Sequence, residues 1–351
     1  MSTDVIRFEM AAPDDVSQCI QALATADPQS ISRLAIIAKV EGAATINDFS
    51  RQLALLAFRN MLSSAGLERV PQQIILSTGC EGVTTPGGYL IVETPDKPSP
   101  FPALSFGIGA SEKIAPQDMI RSGHCEAASK ATGRAIANAG LVPKDVALVL
   151  IKSPVLTRAM VAAHPAASLA RANSTALSRG VAALGAGLAL GDIPASEIND
   201  DAITVRPDLH GARVMAFSGT ETDCCEAIVL GNRPGMGKSL LCGTMRDLID
   251  LDGLAYIICP QASDPLTAMR ALAKTGRIRA SFLKAGAGHD GAIRGHRTTI
   301  FSSDLEPDKQ MRAAASGVLA ACLGDTRFFV SGGTEHQAPL GQCIFAALIA
   351  N

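Results

Sequence analysis

The chain has 351 residues, of which 47% are hydrophobic and 18% charged, a composition typical of a globular protein with room for two or three domains. Its 31 basic and 33 acidic side chains give a formal net charge of -2, and it has two Tyr and no Trp. We therefore expect no nucleic acid partner. No apolar run approaches the roughly 20 residues that span a bilayer, so we expect no membrane association.

The nine cysteines are odd in number, and most lie within apolar runs. This pattern indicates reduced, buried thiols and predicts a cytoplasmic protein without a disulfide framework. No histidine pair has the spacing of a helical zinc site, so we expect no cofactor and no bound metal.

The first third of the chain predicts two helices and three strands, over residues 13–23, 34–38, 46–62, 74–76 and 89–93. The first strand ends at Lys39. The helix after it carries Arg51 and has Asn47 or Asp48 as its expected N-cap. The second strand leads to Ser77, and a proline-rich stretch over residues 94–100 has the composition of a linker.

The other two thirds repeat this order. Helices and strands are expected over residues 116–139, 146–151, 175–190, 214–217 and 227–230, and then over 265–274, 280–283, 308–323, 328–330 and 343–349. The strands end at Lys152 and Lys284. The later strands of each third lead to Ser218 and Ser331, and the helices between them carry Arg179 and Arg312.

Three copies of Lys, Arg and Ser in one order indicate a three-fold internal repeat. The lysines are 113 and 132 residues apart, which is too long for solenoid units. We predict three similar α/β domains around a pseudo-three-fold axis, a Toblerone-like fold with a central site where the polar residues converge. The predicted repeats cover residues 1–105, 106–248 and 249–351.

The repeated residue types suit acyl transfer. A serine becomes a nucleophile when a base takes its proton, and a buried lysine near other cations can be that base. Glycine beside each serine allows close backbone approach, and the planar fork of arginine suits carboxamide oxygens. A single lysine at a strand end is ordinarily a solvated charge and a single Ser-Gly a turn, but three concordant copies favour a site.

At these residues the chain resembles the cyanuric acid hydrolase/barbiturase family of ring-opening amidohydrolases. The matching strings are KVEG at 39–42, NDFSR at 47–51, KSPVLT at 152–157, SRG at 178–180, IRGHR at 293–297 and SGGTEHQ at 331–337. The resemblance implies hydrolysis of a small cyclic amide of the cyanuric or barbituric acid type, in a homotetramer. It also implies Ser218 as nucleophile and Lys152 as its base. The implied substrate-binding residues are Lys39, Arg51, Ser77, Thr78, Arg179, Phe217, Gly219, Lys284, Arg312, Ser331 and Gly332.

One departure concerns the nucleophile. Ser77 and Ser331 precede a glutamate by four positions, whereas Ser218 precedes Glu221 by three and Phe217 holds the fourth place. A one-residue deletion would realign Ser218, and this hypothesis is preferred here. If instead Phe217 replaces the serine, the chain is a divergent family member acting through Ser77 or Ser331, or a binding protein without catalysis.

A second departure concerns a metal. The resemblance implies a structural Mg or Ca held partly by a carboxylate two positions after the third lysine, and Gly286 stands there. We predict that this site is empty or altered.

Overall fold

A computed structural model describes residues 1–45, 48–95, 97–163, 174–203 and 205–351 of the chain. Asn47, one of the two expected N-caps, and Asp96 of the expected linker lie outside the described residues. The strands are β1 (Ser2–Glu9), β2 (Arg33–Val40), β3 (Gln72–Thr78), β4 (Gly87–Thr94), β5 (Leu104–Ala110), β6 (Val146–Pro154), β7 (Val214–Gly219), β8 (Glu226–Asn232), β9 (Leu240–Met245), β10 (Ile278–Ala285), β11 (Phe329–Gly332) and β12 (Cys343–Ile349). The helices are α1 (Ser17–Ala26), α2 (Ser50–Ser64), α3 (Ser122–Asn138), α4 (Arg158–Ala163), α5 (Thr175–Leu190), α6 (Leu251–Ile258), α7 (Pro265–Lys274) and α8 (Pro307–Leu323).

Three four-stranded sheets share one topology. Their strand orders are β1-β4-β2-β3, β5-β8-β6-β7 and β9-β12-β10-β11. In each sheet the second and third strands in chain order are parallel, and the second and fourth are antiparallel. A parallel pair needs a crossover, which α2, α5 and α8 supply. The three-repeat α/β class is therefore confirmed.

The second strand of each repeat is apolar because it is covered on both sides. From Leu34 onward every residue of β2 is buried, as is every residue of β10 from Ala280 onward. One hydrophobic cluster accompanies each sheet, and the first contains Leu34 of β2 together with Phe58 of α2. A lysine at the end of such a strand is therefore buried, so the candidate lysines are shielded from bulk water.

The chain forms two compact units. The first holds residues 1–104, 232–332 and 341–351, with the sheets of the first and third repeats. Within it Tyr89 of β4 donates a hydrogen bond to the Ser281 carbonyl at 3.2 Å and accepts one from its N–H at 3.0 Å. The second unit holds residues 105–231 and 333–340, with the sheet of the second repeat.

The expected boundary at residue 248 does not match the sheets. Strand β9 joins the sheet of the third repeat, so that repeat begins before Leu240. The repeats also contain β1, β5, β9, α4 and α6, which the sequence did not predict. The helix expected over residues 116–139 is a 3₁₀ turn at Pro116–Asp118 followed by α3, because Ile120 has a positive φ of 60° that interrupts helical backbone.

Among the described residues, none of the helices is both long enough and apolar enough to cross a membrane.

Candidate active site

Lys39 and Ser77 form a buried pair in the first repeat. The parallel register of β2 and β3 places them directly opposite each other. The Lys39 Nζ donates to the Ser77 Oγ at 3.1 Å and to the Thr78 carbonyl oxygen at 2.8 Å. Lys39 is 1% exposed and Ser77 9% exposed, so bulk water competes little for this contact. The predicted neighbours are therefore brought together by the strand ladder itself.

Burial, together with the nearby positive charge of Arg312, lowers the pKa of Lys39 from 10.5 to about 7. The Lys39 ammonium also lies 5.7 Å from the ring centroid of Phe329. At neutral pH a substantial part of Lys39 is thus an uncharged amine that lies 3.1 Å from the Ser77 hydroxyl oxygen. This is the state that a general base requires.

Lys284 and Ser331 repeat the same arrangement in the third repeat. They are opposite each other in the parallel register of β10 and β11. The Lys284 Nζ donates to the Ser331 Oγ at 3.1 Å, and both residues are buried. The first compact unit therefore holds two equivalent lysine–serine pairs.

The second repeat differs at the corresponding position. The register of β6 and β7 places Lys152 opposite Phe217, and Ser218 lies one step further, opposite Ser153. Ser218 thus corresponds to Thr78 of the first repeat and Gly332 of the third. The hypothesis of a deletion that realigns Ser218 is wrong, because the hydrogen-bonded ladder runs through residues 214–219 without a register shift.

Lys152 and Ser218 each contact groups other than the side chain of their predicted partner. Lys152 forms an ion pair with Glu221 at 2.5 Å and donates to the Ser218 carbonyl oxygen at 3.3 Å. The Ser218 hydroxyl donates to the carbonyl oxygen of Thr175, the first residue of α5, at 3.1 Å. The roles of Ser218 as nucleophile and Lys152 as base stay predictions.

Two of the arginines each bind a glutamate in the loop after Ser77 or Ser331, and the sequence analysis did not identify these partners. Arg312 makes a bidentate contact with Glu81 at 2.6 and 2.8 Å, and Arg179 makes one with Glu335 at 3.1 and 2.8 Å. Burial opposes ionisation of Glu81, but the hydrogen bonds and charge of Arg312 outweigh it and lower its pKa. The signal was present in the sequence, since a glutamate is the fifth residue of each of the three five-residue motif copies, 77–81, 217–221 and 331–335.

Glycine at the third motif position makes room for these clamps. Gly79 and Gly333 have φ values of 95° and 80°. A Cβ on Gly79 would lie 2.9 Å from the Arg312 Nη2, and one on Gly333 would lie 2.2 Å from the Arg179 Nη2. Only a residue without a side chain satisfies both the backbone conformation and the close approach.

Two further predicted binding residues lie beside these groups. Arg51, the second residue of α2, donates to the Thr78 hydroxyl at 2.5 Å. The N-cap of α2 is Phe49, so the expected N-cap at Asp48 is wrong, although the Asp48 carboxylate accepts from the Ser50 N–H at 2.9 Å. Gly332 packs against α8, and a Cβ there would lie 3.1 Å from the Asp308 carbonyl oxygen.

His124, Ser153 and Ser178 form a network of buried polar side chains in the second unit, and this network was not predicted. The His124 Nδ1 accepts from the Ile120 N–H, so its Nε2 carries the proton and donates to Ser153 at 2.9 Å. Ser153 contacts the Ser178 hydroxyl at 2.7 Å. Burial lowers the pKa of His124 to about 3, so the ring stays neutral. The network links the neighbours of Lys152 and Arg179 within the second unit.

Gly286 offers no carboxylate to a hard cation, and the side chain in contact with its backbone is a thiol. The Gly286 N–H contacts the Cys343 sulfur at 3.5 Å, and burial raises the pKa of this thiol to about 12. A protonated thiol is a poor ligand for Mg or Ca, which prefer oxygen. Over the described part of the chain, no three His, Cys, Asp or Glu residues are grouped to hold a metal.

Comparison with known proteins gives a consistent match. The model of the ring-opening amidohydrolase family matches residues 4–350. A cyclic amide hydrolase from Azorhizobium caulinodans is 34% identical, covering 99% of this chain and all of the relative. A cyanuric acid amidohydrolase from a Methylobacterium species is 35% identical, covering 96% and 94% of the two chains. The crystal structure of the A. caulinodans cyanuric acid hydrolase superposes with a TM-score of 0.86 at 33% identity, over 99% of each chain.

Proposed function

Because this chain belongs to the family of ring-opening amidohydrolases, we propose that it hydrolyses a small cyclic amide or imide of the cyanuric or barbituric acid type. The family match extends over residues 4–350, and relatives named for cyclic amide, cyanuric acid and barbiturate substrates are each about a third identical to it. The finer assignment concerns which residues open the ring.

We assign the nucleophile to Ser77 and the base to Lys39. The observation that carries this assignment is the 3.1 Å contact between a buried serine hydroxyl and a lysine whose pKa is lowered to about 7. Neutral Lys39 takes the hydroxyl proton while the Ser77 oxygen attacks a ring carbonyl carbon. The ring C–N bond then breaks, and the nitrogen takes the proton from Lys39.

Water completes the reaction. The ring-opened product is held to Ser77 as an ester, and Lys39, neutral again, takes a proton from the attacking water. The ester bond breaks, the Ser77 oxygen recovers a proton, and a ring-opened acid leaves. The Arg312 guanidinium is positioned by Glu81 beside the loop that follows Ser77.

Lys284 and Ser331 serve as binding groups in this assignment. They have the same contact distance as Lys39 and Ser77, and they belong to the same compact unit. The second ring carbonyl group of an imide suits this pair, because the Ser331 hydroxyl and the Lys284 side chain both offer hydrogen-bond donors to an oxygen. The gathering of residues from all three repeats in one cavity stays a prediction, as do the tetrameric assembly and the cytoplasmic location.

The competing assignment makes Ser218 the nucleophile and Lys152 its base. It is less well supported, since the register places Phe217 opposite Lys152 and a carboxylate lies 2.5 Å from the amine. A carboxylate in contact with a lysine stabilises the charged ammonium form, and this form is a poor base.

Product analysis separates these possibilities. The purified protein is incubated with cyanuric acid, barbituric acid, hydantoin and succinimide, and ring-opened products are measured by mass spectrometry. Ser77→Ala is expected to lower kcat by about 10³-fold or more, because the covalent route is lost. Ser331→Ala is expected chiefly to raise KM, and Ser218→Ala to change kcat by less than about tenfold.

The outcomes are distinct. Loss of turnover in Ser218→Ala alone would support the competing assignment and reject ours. Thermal stabilisation by one of these compounds without turnover would support a binding protein. Neither turnover nor stabilisation with any of the four compounds would contradict the proposed substrate class.

A further inference from the structure

Lys152 and Glu221 form a buried ion pair within the second repeat. The Lys152 Nζ lies 2.5 Å from the Glu221 Oε1, and the two side chains are 1% and 6% exposed. The carboxylates at the same motif position of the other two copies, Glu81 and Glu335, are clamped by arginines and are 23% and 28% exposed. Glu221 is therefore the most deeply buried of the three motif glutamates, and it contacts the lysine of its own repeat.

The loop after β7 is shaped for this contact. A Cβ on Gly219 would lie 2.1 Å from the Glu221 Oε2 and 2.7 Å from its Oε1. The carboxylate thus folds back over the backbone of Gly219, and a residue with a side chain would displace it. The absence of a side chain at this position gives Glu221 its access to Lys152.

Burial and ion pairing shift the pKa of a lysine in opposite directions. Burial alone favours the neutral amine, as the lowered pKa of Lys39 illustrates. A carboxylate in direct contact favours the ammonium, and removal of one partner leaves an uncompensated buried charge. The Ser218 carbonyl oxygen, 3.3 Å from the Nζ, accepts a further hydrogen bond from the same ammonium.

We infer that Glu221 is a positioning residue that keeps Lys152 protonated, so that Lys152 supplies a fixed positive charge for a substrate oxygen and does not act as a base. This inference rests on the proposed function and on the predicted gathering of residues from all three repeats around one substrate. Lys39 exchanges a proton with Ser77, whereas the second repeat contributes charge alone.

Arginine replacement at two lysines tests the inference directly, because arginine keeps a positive charge but cannot act as a base at neutral pH. Lys152→Arg is expected to keep kcat within about tenfold of the parent, whereas Lys39→Arg is expected to lower kcat by about 10³-fold. Equal loss in both variants, with both proteins folded, would overturn the inference. Retention of parental activity in Lys152→Met would also overturn it, because no charge remains there.

If arginine does not fit at position 152, two variants in the loop after β7 provide a second test. Glu221→Gln and Gly219→Ala remove or displace the same carboxylate, so both are expected to raise KM by about tenfold or more, with a smaller change in kcat. Glu221→Asp is expected to restore part of the loss. Glu93→Gln is the matched control, since Glu93 forms a buried ion pair with Arg33 at the other end of β2. It is expected to lower stability without changing KM, and an equal KM effect in this control would reject a specific role for Glu221.

A double-mutant cycle measured by unfolding needs no catalytic turnover. It therefore distinguishes failure of this inference from failure of the proposed function. Urea midpoints are measured for the parent, Lys152→Met, Glu221→Gln and the double variant. If the pair is charged, Glu221→Gln alone lowers the midpoint, and adding Lys152→Met recovers part of that loss, because no buried ammonium is left alone. Independent, additive losses would overturn the inference even in an active enzyme, and recovery would support the pairing even if no cyclic amide is hydrolysed.

Discussion

The first and second repeats have the same strand order and the same lysine at the end of the second strand, but that lysine meets different partners. In the first repeat Lys39 contacts a serine hydroxyl, and in the second Lys152 contacts a carboxylate and lies opposite Phe217 in the ladder. The strand pairing is equivalent, so the difference lies in the residue opposite the lysine and in the contacts of the motif glutamates, since Glu81 contacts Arg312 and Glu221 contacts Lys152. An internal repeat therefore conserves geometry and leaves the chemistry of each copy free to change.

The largest expected effect concerns the proton of Lys39. Its pKa is lowered to about 7, so kcat/KM is expected to rise with pH through about 7 as the amine becomes neutral. Lys39→Met is expected to lower kcat by about 10³-fold. Activity profiles from pH 5.5 to 9 check both, and a flat profile for the parent would contradict the role of Lys39 as base.

The same proton makes stability depend on pH. The folded-state pKa of Lys39 lies below its unfolded value of 10.5, so the unfolded chain binds more protons between about pH 7 and 10.5. The free energy of unfolding is therefore expected to rise with pH across this window, by about 5 kcal/mol at most. The Lys39→Met variant removes this contribution. Lys274→Met, at an exposed position, is the control and is expected to keep the pH dependence of the parent.

Restoring a serine in the second repeat tests whether register alone makes a nucleophile. Phe217 is 2% exposed, so Phe217→Ser is expected to lower the free energy of unfolding by about 3–5 kcal/mol. In a Ser77→Ala background it is expected to leave the protein inactive, because Glu221 still keeps Lys152 protonated. Urea unfolding and product analysis check the two parts. Phe217→Leu controls for the lost volume, and turnover recovered only by the serine variant would show that the second repeat retains a usable base.

The smallest expected effect concerns the glycine that admits the Arg179 clamp. Gly333→Ala is expected to cost about 1–3 kcal/mol of stability, because φ is 80° and the new Cβ would meet the guanidinium. Gly317→Ala is the matched control in α8, where an added Cβ would meet nothing within 4 Å. It is expected to stabilise by about 0.5–1 kcal/mol through helix propensity. Thermal unfolding checks both, and equal effects would show that the space beside Arg179 is not limiting.

The elements that the sequence predicted best are those buried on both faces. The runs before Lys39, Lys152 and Lys284 are continuous and apolar, and each is a central strand next to its parallel partner. The strands β1 and β9, at sheet edges, were missed because their residues alternate or are only half-buried, which leaves a weak apolar pattern. The boundary after the second repeat was misplaced for the same reason, since β9 was not recognised.

For this protein the sequence alone determined the three-fold repeat, the family and the lysine, arginine and serine positions, because these depend on residue order and on strong apolar patterning. Tertiary structure decided which partner each residue has. Pairing across the β6–β7 ladder placed Phe217 opposite Lys152. Contacts between residues distant in the chain placed Arg312 on Glu81 and Arg179 on Glu335. Such pairings depend on register and on side-chain reach across space, and a motif of five residues contains neither.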